Sequence, residues 1–197
     1  MPNSQAANFP TNSVVMNVDR YSRYKTAEVS MNKRYGSRWS ASTGFGYTML
    51  TDFPTGSFPQ NPNLPGAEDR TIWNFKASGS YDGPAGIRFS PVLRHQSGAN
   101  YARTVSVSAP AGLTATGTAY VEAMDANRED NIWVFDIRAE RAFSLTSRLR
   151  LRLYADAFNL TNSSASETIS RATGLSYQKP SAILAPRTAR IGFRFIF

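Results

Sequence analysis

Few residues in this 197-residue chain have the type and spacing that chemistry requires. His95 is the only histidine and there are no cysteines. A histidine-based metal site or catalytic triad therefore has one member at most, and neither a thiolate metal site nor a disulfide framework is available. Asp125, Glu129 and Asp130 sit close together in D-A-N-R-E-D-N. They lack the glycine and closing glutamate of a calcium loop and read as solvated loop charge. Ser144 and Ser147 have no nucleophile-elbow context. No glycine-rich phosphate cradle occurs, and Asn159-Leu160-Thr161, formally a glycosylation acceptor, reads as loop. The expectation is no enzyme, no metal and no cofactor. What remains is basic, with 22 Lys and Arg against 14 Asp and Glu and a net charge of +8. Such a balance invites nucleic acid. The arginines are spread along alternating segments and not gathered into one run, so no nucleic-acid partner is expected. Lys76, Arg88, Arg94, Arg150, Arg152, Arg190 and Arg194 are expected on one shared face. They would either line an anionic path or simply wet a polar wall.

That shared face follows from the segments that carry these residues. Residues 148–160 begin R-L-R-L-R-L-Y-A-D-A-F. Leu149, Leu151, Leu153, Ala155 and Ala157 alternate with Arg148, Arg150, Arg152, Tyr154, Asp156 and Phe158, the period of a strand and not of a helix. Residues 187–197, R-T-A-R-I-G-F-R-F-I-F, repeat the pattern. Ala189, Ile191, Phe193, Phe195 and Phe197 fall on one face; Thr188, Arg190, Gly192, Arg194 and Ile196 fall on the other. Five further strands are expected at 24–34, 38–50, 71–81, 87–97 and 132–143. Pro91 marks a bulge or a weak point in the fourth of these. Short additional strands are expected near 103–108 and 119–123.

The connections between the seven long strands run short, long, short, long, short, long. The short ones are turns at 35–37, 82–86 and 144–147; the long ones cover 51–70, 98–131 and 161–186. In an up-and-down antiparallel sheet all turns then share one rim and all loops the other, as in bacterial outer-membrane barrels. The strands are longer than the roughly 5–6 residues usual in globular sheets and reach the ~9–11 needed for a tilted membrane crossing. Tyr35, Trp39, Tyr81, Phe143 and Phe197 collect near the turn side, and Tyr47, Trp73 and Trp133 toward the loop side, as two interfacial girdles would. No apolar run is long enough for a transmembrane helix. An arginine facing lipid costs roughly 2–4 kcal/mol near the midplane, so leucines are expected toward lipid and arginines toward a lumen or water. The fold class expected is all-β, with about seven antiparallel up-and-down transmembrane strands forming a partial barrel.

Four segments together resemble the C-terminal barrel region of TonB-dependent outer-membrane transporters, especially the Oar-like group. They are Y-K-T-A-E-V-S-M-N-K-R-Y-G-S-R-W from Tyr24 to Trp39 and G-I-R-F-S-P-V-L-R-H-Q-S-G from Gly86 to Gly98. The others are Y-A-D-A-F-N-L-T-N from Tyr154 to Asn162 and the closing P-R-T-A-R-I-G-F-R-F-I-F from Pro186. The last two are the more specific. The resemblance implies residence in the outer membrane among its lipids, and a terminal strand read by the outer-membrane assembly machinery through Ile191, Phe193, Phe195 and Phe197. It implies a parent protein that takes up a bulky nutrient with a plug domain and the energy-coupling protein TonB, with the basic face also able to hold the plug by salt bridges.

The chain departs from that pattern in strand number and carries no plug, no coupling box and no export signal. The expectation is a fragment: residues 1–20 as a loop tail and 21–197 as the C-terminal part of a barrel that does not transport by itself, the signal peptide belonging to the parent. Three alternatives stand beside it. One is a complete small barrel with an eighth strand near 13–21. The second is a small outer-membrane or surface adhesin-like β-protein binding through its long loops. The third is a soluble β-sandwich enzyme.

Overall fold

A computed structural model describes residues 22–52, 68–108, 116–123 and 125–197. The expected tail at 1–20 and the middle of the loop at 51–70 lie outside the described residues. In chain order the first strands are β1 (Arg23–Gly36), β2 (Trp39–Asp52), β3 (Glu68–Asp82), β4 (Ile87–Gln96), β5 (Asn100–Tyr101) and β6 (Thr104–Ser108). Then follow β7 (Thr116–Tyr120), β8 (Asn127–Arg128), β9 (Ile132–Ser144), β10 (Arg150–Phe158), β11 (Ser166–Ile169), β12 (Pro180–Ile183) and β13 (Thr188–Ile196). Seven of them form one antiparallel up-and-down sheet in the order β1-β2-β3-β4-β9-β10-β13. The sheet is open: β1 and β13 are its edges, and both run from the loop side toward the turn side. The remaining strands make three two-stranded ribbons, β5–β8, β6–β7 and β11–β12, within the long connections.

The long strands match the seven read from alternation, and the differences lie at the turns. The first turn is centred on Ser37 and Arg38, both at positive φ, and pairs Gly36 with Trp39. A register shift between Lys33 and Gly36 moves the turn one residue past the expected 35–37. Positive φ at both central positions gives a hairpin turn whose twist suits the flanking strands. At the third turn β10 starts at Arg150, so Arg148 and Leu149 leave the two faces expected for them. Thr146 Oγ1 accepts from the backbone N–H groups of both, at 3.3 and 3.0 Å, and holds them in the turn. Pro91 makes no bulge. The β3–β4 register is the same on either side of it, Ala77 facing Leu93 and Tyr81 facing Phe89. The second short strand expected in the long connection begins earlier than 119, at Thr116.

The register is staggered. One row of directly opposed residues runs from Trp39 through Tyr81, Phe89, Ala139 and Ala155 to Ile191. It starts at the first residue of β2 and ends well inside β13, which closes at Ile196. That is a climb of about one residue per strand. With ~3.3 Å of rise per residue and ~4.8 Å between strands, the strands lean by ~35° to the turn-side rim's normal, at the lower end of the range of tilted barrel strands.

The loops are tied down by polar contacts. Asn159, in the left-handed region and buried, is their main post. Its Nδ2 donates to the carbonyls of Ser163 and Ala185 at 2.9 and 2.8 Å, and its Oδ1 accepts from Ser163 N–H at 2.9 Å. Asn162 Oδ1 accepts from Arg187 N–H at 3.0 Å, so both ends of the last loop are clamped before β13 begins. The neighbouring loop joins in, with Arg171 paired to Glu129 at 3.1 Å and Gln178 donating to the Tyr101 hydroxyl at 3.0 Å. Close backbone approach leaves no room for a side chain at Gly98, whose Cβ would stand 1.8 Å from the Glu129 carbonyl.

The described residues form no packed interior. Among the described residues only Tyr101, Ala102 and Val134 are buried hydrophobics, and no large side chain is fully buried. A sheet with one apolar face uncovered and two unpaired edges offers water both a large greasy patch and two strand templates. We therefore expect the chain to sediment as large aggregates in detergent-free buffer and to become monodisperse, with strong β-type circular dichroism, on transfer to detergent micelles. A monodisperse, cooperatively melting monomer in plain buffer would contradict this reading of the sheet.

Candidate functional site

The pairing assigns every strand residue to one of two faces. On the first, Val29 faces Phe45, which faces Phe75; Tyr47 faces Trp73; Leu93 faces Phe135. Leu151 lies between Phe143 and Phe195, and Ala155 between Ala139 and Ile191. Apolar residues from all seven strands thus meet in one continuous surface. Val29 is 68% exposed and Ile191 86% exposed, so the surface is uncovered at both edges. The predicted assembly residues Ile191, Phe193 and Phe195 are on it. Phe197 lies beyond the end of β13 and is 96% exposed.

Cations border this apolar surface, which alternation had left to aliphatics and aromatics. Arg141 is on it, opposed to Leu153, with its guanidinium 4.8 Å from the Phe143 ring on the turn side. Lys33 bends back so that Nζ reaches the carbonyls of Gly36 and Trp39, at 3.0 and 3.2 Å, and stands 4.0 Å from the Trp39 ring. A long side chain that keeps its stem on an apolar surface and turns its charge toward the rim behaves in this way at an interface. On the loop side Arg128 lies 4.8 Å from the Trp73 ring and donates to the Thr71 carbonyl at 2.8 Å. His95 is buried there, stacked on Trp133 at 4.0 Å and 6.4 Å from Trp73. It is part of an aromatic row and belongs to no group of three or more metal-type ligands among the described residues.

The second face carries all seven basic residues predicted to share one. Arg190 is drawn into the strongest contact. Asp156 lies between Arg138 and Arg190 in register. Arg138 Nε and Nη2 donate to its two oxygens at 2.6 and 3.1 Å, and Arg190 Nε and Nη2 donate to Oδ2 at 3.0 and 2.6 Å. One carboxylate thus joins β9, β10 and β13. Arg94 pairs with Asp136 at 3.5 Å, joining β4 to β9, and Arg152 with Glu140 at 3.7 Å. At the turn-side rim Arg88 holds Asp82 at 2.6 Å, Tyr35 donates to the same carboxylate, and Arg38 donates to the Asp82 carbonyl at 2.9 Å. Arg38, Asp82 and Arg88 line an open cleft of about 590 Å³, together with Glu140 and Arg152. Lys76, Arg150 and Arg194 have no ion pair among the described residues, Lys76 facing Arg94 and Arg194 facing Arg152. In the loop cluster, loss of solvation raises the Tyr177 phenol above its ordinary value, helped by Tyr101 and Glu122.

Sequence reasoning found the cations and missed their counter-ions. Asp156 is on the face its alternation predicts, but nothing in an alternating pattern says which carboxylate will sit between two guanidiniums. Asn159 was read as an ordinary loop residue. Its signal was available, since asparagine directly after a strand tolerates positive φ and bonds neighbouring backbone. Gly192 is a further consequence of register: the Tyr154 ring lies across it, 2.4 Å from where a Cβ would be. Against known proteins, the chain matches no family, no curated protein and no solved structure.

The Asp156 carboxylate side chain is only 4% exposed, while its two arginines are 41% and 56% exposed. Removing a partner from a fully buried pair costs about 3–5 kcal/mol. Here the stranded guanidiniums reach water, so Asp156→Ala is expected to lower stability by about 1–3 kcal/mol. The check is the urea midpoint of the micelle-folded chain followed by tryptophan fluorescence. Asp136→Ala, whose arginine contact is longer, is expected to cost less.

Proposed function

We propose that the chain is the C-terminal wall of a TonB-dependent outer-membrane transporter barrel, with the first face toward lipid and the second toward the lumen. The observation that carries this reading is the uncovered apolar surface, in register across seven tilted strands and edged by aromatic and cationic side chains. Strands long enough to cross, turns on one rim and loops on the other are features of such barrels. The four segments from Tyr24, Gly86, Tyr154 and Pro186 supply the likeness to this class. Closing a lumen needs further strands, which a longer parent chain would contribute together with its plug and its contact to TonB. On this reading the seven-stranded wall does not transport on its own account and forms the lumen side of a bulky-nutrient path. The terminal strand, with Ile191, Phe193, Phe195 and Phe197, would be what the assembly machinery reads.

The test uses positions where water and lipid give opposite results. Val29 is largely exposed and makes few contacts to lose, so Val29→Arg should be nearly neutral if that face meets water. If it meets lipid, the substitution should cost roughly 2–4 kcal/mol near the midplane and block insertion into vesicles. Its neighbour Ser30 is on the other face, and Ser30→Arg should insert normally. Equal insertion of the two variants, read by protease protection in lipid vesicles, would sink the lipid-face assignment. Deleting Phe197 should leave the urea midpoint of the micelle-folded chain within about 0.5 kcal/mol of the unaltered chain, because an exposed residue outside the sheet packs against little. The same deletion should reduce assembly of the parent protein into the outer membrane in cells. A deletion that assembles normally would remove the terminal residue from the recognition signal.

A further inference from the structure

Among the described residues, one stretch of the second face is roofed. The β11–β12 ribbon and the residue after it lie over β3, β4 and β9 on the loop side, where Glu167 and Leu184 close a cleft of about 550 Å³ above Lys76 and Arg94. Val134, on its floor, is one of the three buried hydrophobics described. Lys76 and Arg94 stand directly opposite one another in register. Like charges so placed repel and weaken a sheet. Arg94 shares its charge with Asp136, whereas Lys76 has no ion pair among the described residues, and neither does Glu167. Next to the cations, Asn74 and Gln96 form the adjoining opposed pair and bring two amides to the same floor. The apolar side is made by Ile72, Ile132 and Leu184.

The cleft is therefore lined by two cations, a carboxylate from its roof and apolar side chains. Gly44 and Gly46, opposed to Lys76 and Asn74, leave the floor open toward β1, where a second hollow of about 430 Å³ shares both residues. We propose that this roofed cleft is a binding subsite for a zwitterion with an apolar body, the chemistry of a short apolar peptide. Its carboxylate would lie between Lys76 and Arg94, its side chains against Val134 and Leu184, and its ammonium near Glu167. The bound carboxylate would neutralise the repulsion that the empty floor carries. This rests on the preceding reading, in which the second face lines a lumen, and it gives that lumen a substrate class.

The full chain, folded in dodecyl maltoside micelles, is titrated calorimetrically with trileucine, with trileucine amide and with N-acetyl-trileucine. Charge-assisted hydrogen bonds of ~1.5–3 kcal/mol correspond to roughly 10- to 100-fold in affinity. Trileucine is expected to bind saturably, and the amide about 10-fold or more weakly. Lys76→Gln and Arg94→Gln should each weaken trileucine by about 10-fold. Glu167→Gln should weaken trileucine but leave N-acetyl-trileucine unchanged. Lys76→Gln relieves a repulsion, so its fold should survive, which the heat-modifiable gel mobility of the variant checks. Arg150→Gln, on the same face but outside the cleft, should bind as the unaltered chain does. A folded chain that binds trileucine and its amide equally, or binds neither, overturns the subsite and leaves the membrane reading standing. A chain that gains no β-structure in micelles overturns both.

Discussion

Register is the constraint on which everything else in this chain rests. A strand turns successive side chains to opposite sides, so a slip of one residue in any pairing would exchange the two faces of that strand. Here no long strand slips relative to the others across its central span. The result is that residues far apart in sequence, from Val29 to Phe193, share one apolar surface, and residues from Lys76 to Arg194 share the other. Nothing resembling a closed core is needed to enforce this. The sorting is done by the cost of placing an arginine among leucines and aromatics, paid strand by strand.

The polar ladder reinforces that register from the other side. Asp156 with Arg138 and Arg190, Asp136 with Arg94, and Asp82 with Arg88 each bridge neighbouring strands, and together they run from β3 to β13. Arginine suits the task because its planar fork meets a carboxylate with two donors at once. A lysine would satisfy the charge without fixing the angle. The acidic residues therefore decide which of the many basic groups are structural. Of the seven basic residues predicted for this face, Lys76, Arg150 and Arg194 are left without an ion pair among the described residues.

The strands and their faces were legible because alternation is a dense signal. Thirteen residues of period two, as in R-L-R-L-R-L-Y-A-D-A-F-N-L, admit one reading. The turns were less legible because a single residue decides them. The turn at Ser37 and Arg38 bypassed the glycine that marked it, since a register shift just before it changed which residues had to adopt positive φ. Arg148 and Leu149 continued the alternation perfectly and still left the strand, because the Thr146 hydroxyl captured their N–H groups. Arg141 and Lys33 broke the apolar pattern at places where a long stem can carry charge back to a rim, and the depth of a residue from the rim is not written in its periodicity. The cleft beneath the β11–β12 ribbon was beyond reach for a similar reason. It depends on how a loop folds back, and loop residues carry no period.

The two edge strands of the sheet, β1 and β13, point the same way. An antiparallel wall that runs from one of them around to the other must begin and end with strands of the opposite direction. Any antiparallel arc that closed the sheet would therefore have an odd number of strands, whatever its length, and the closed circle would be even. Were β1 and β13 to meet directly, the circle would contain one parallel seam among antiparallel neighbours, with slanted hydrogen bonds at that seam alone. On the proposed reading, the arc that completes the wall would be odd in number and would begin and end with strands running from the turn side to the loop side.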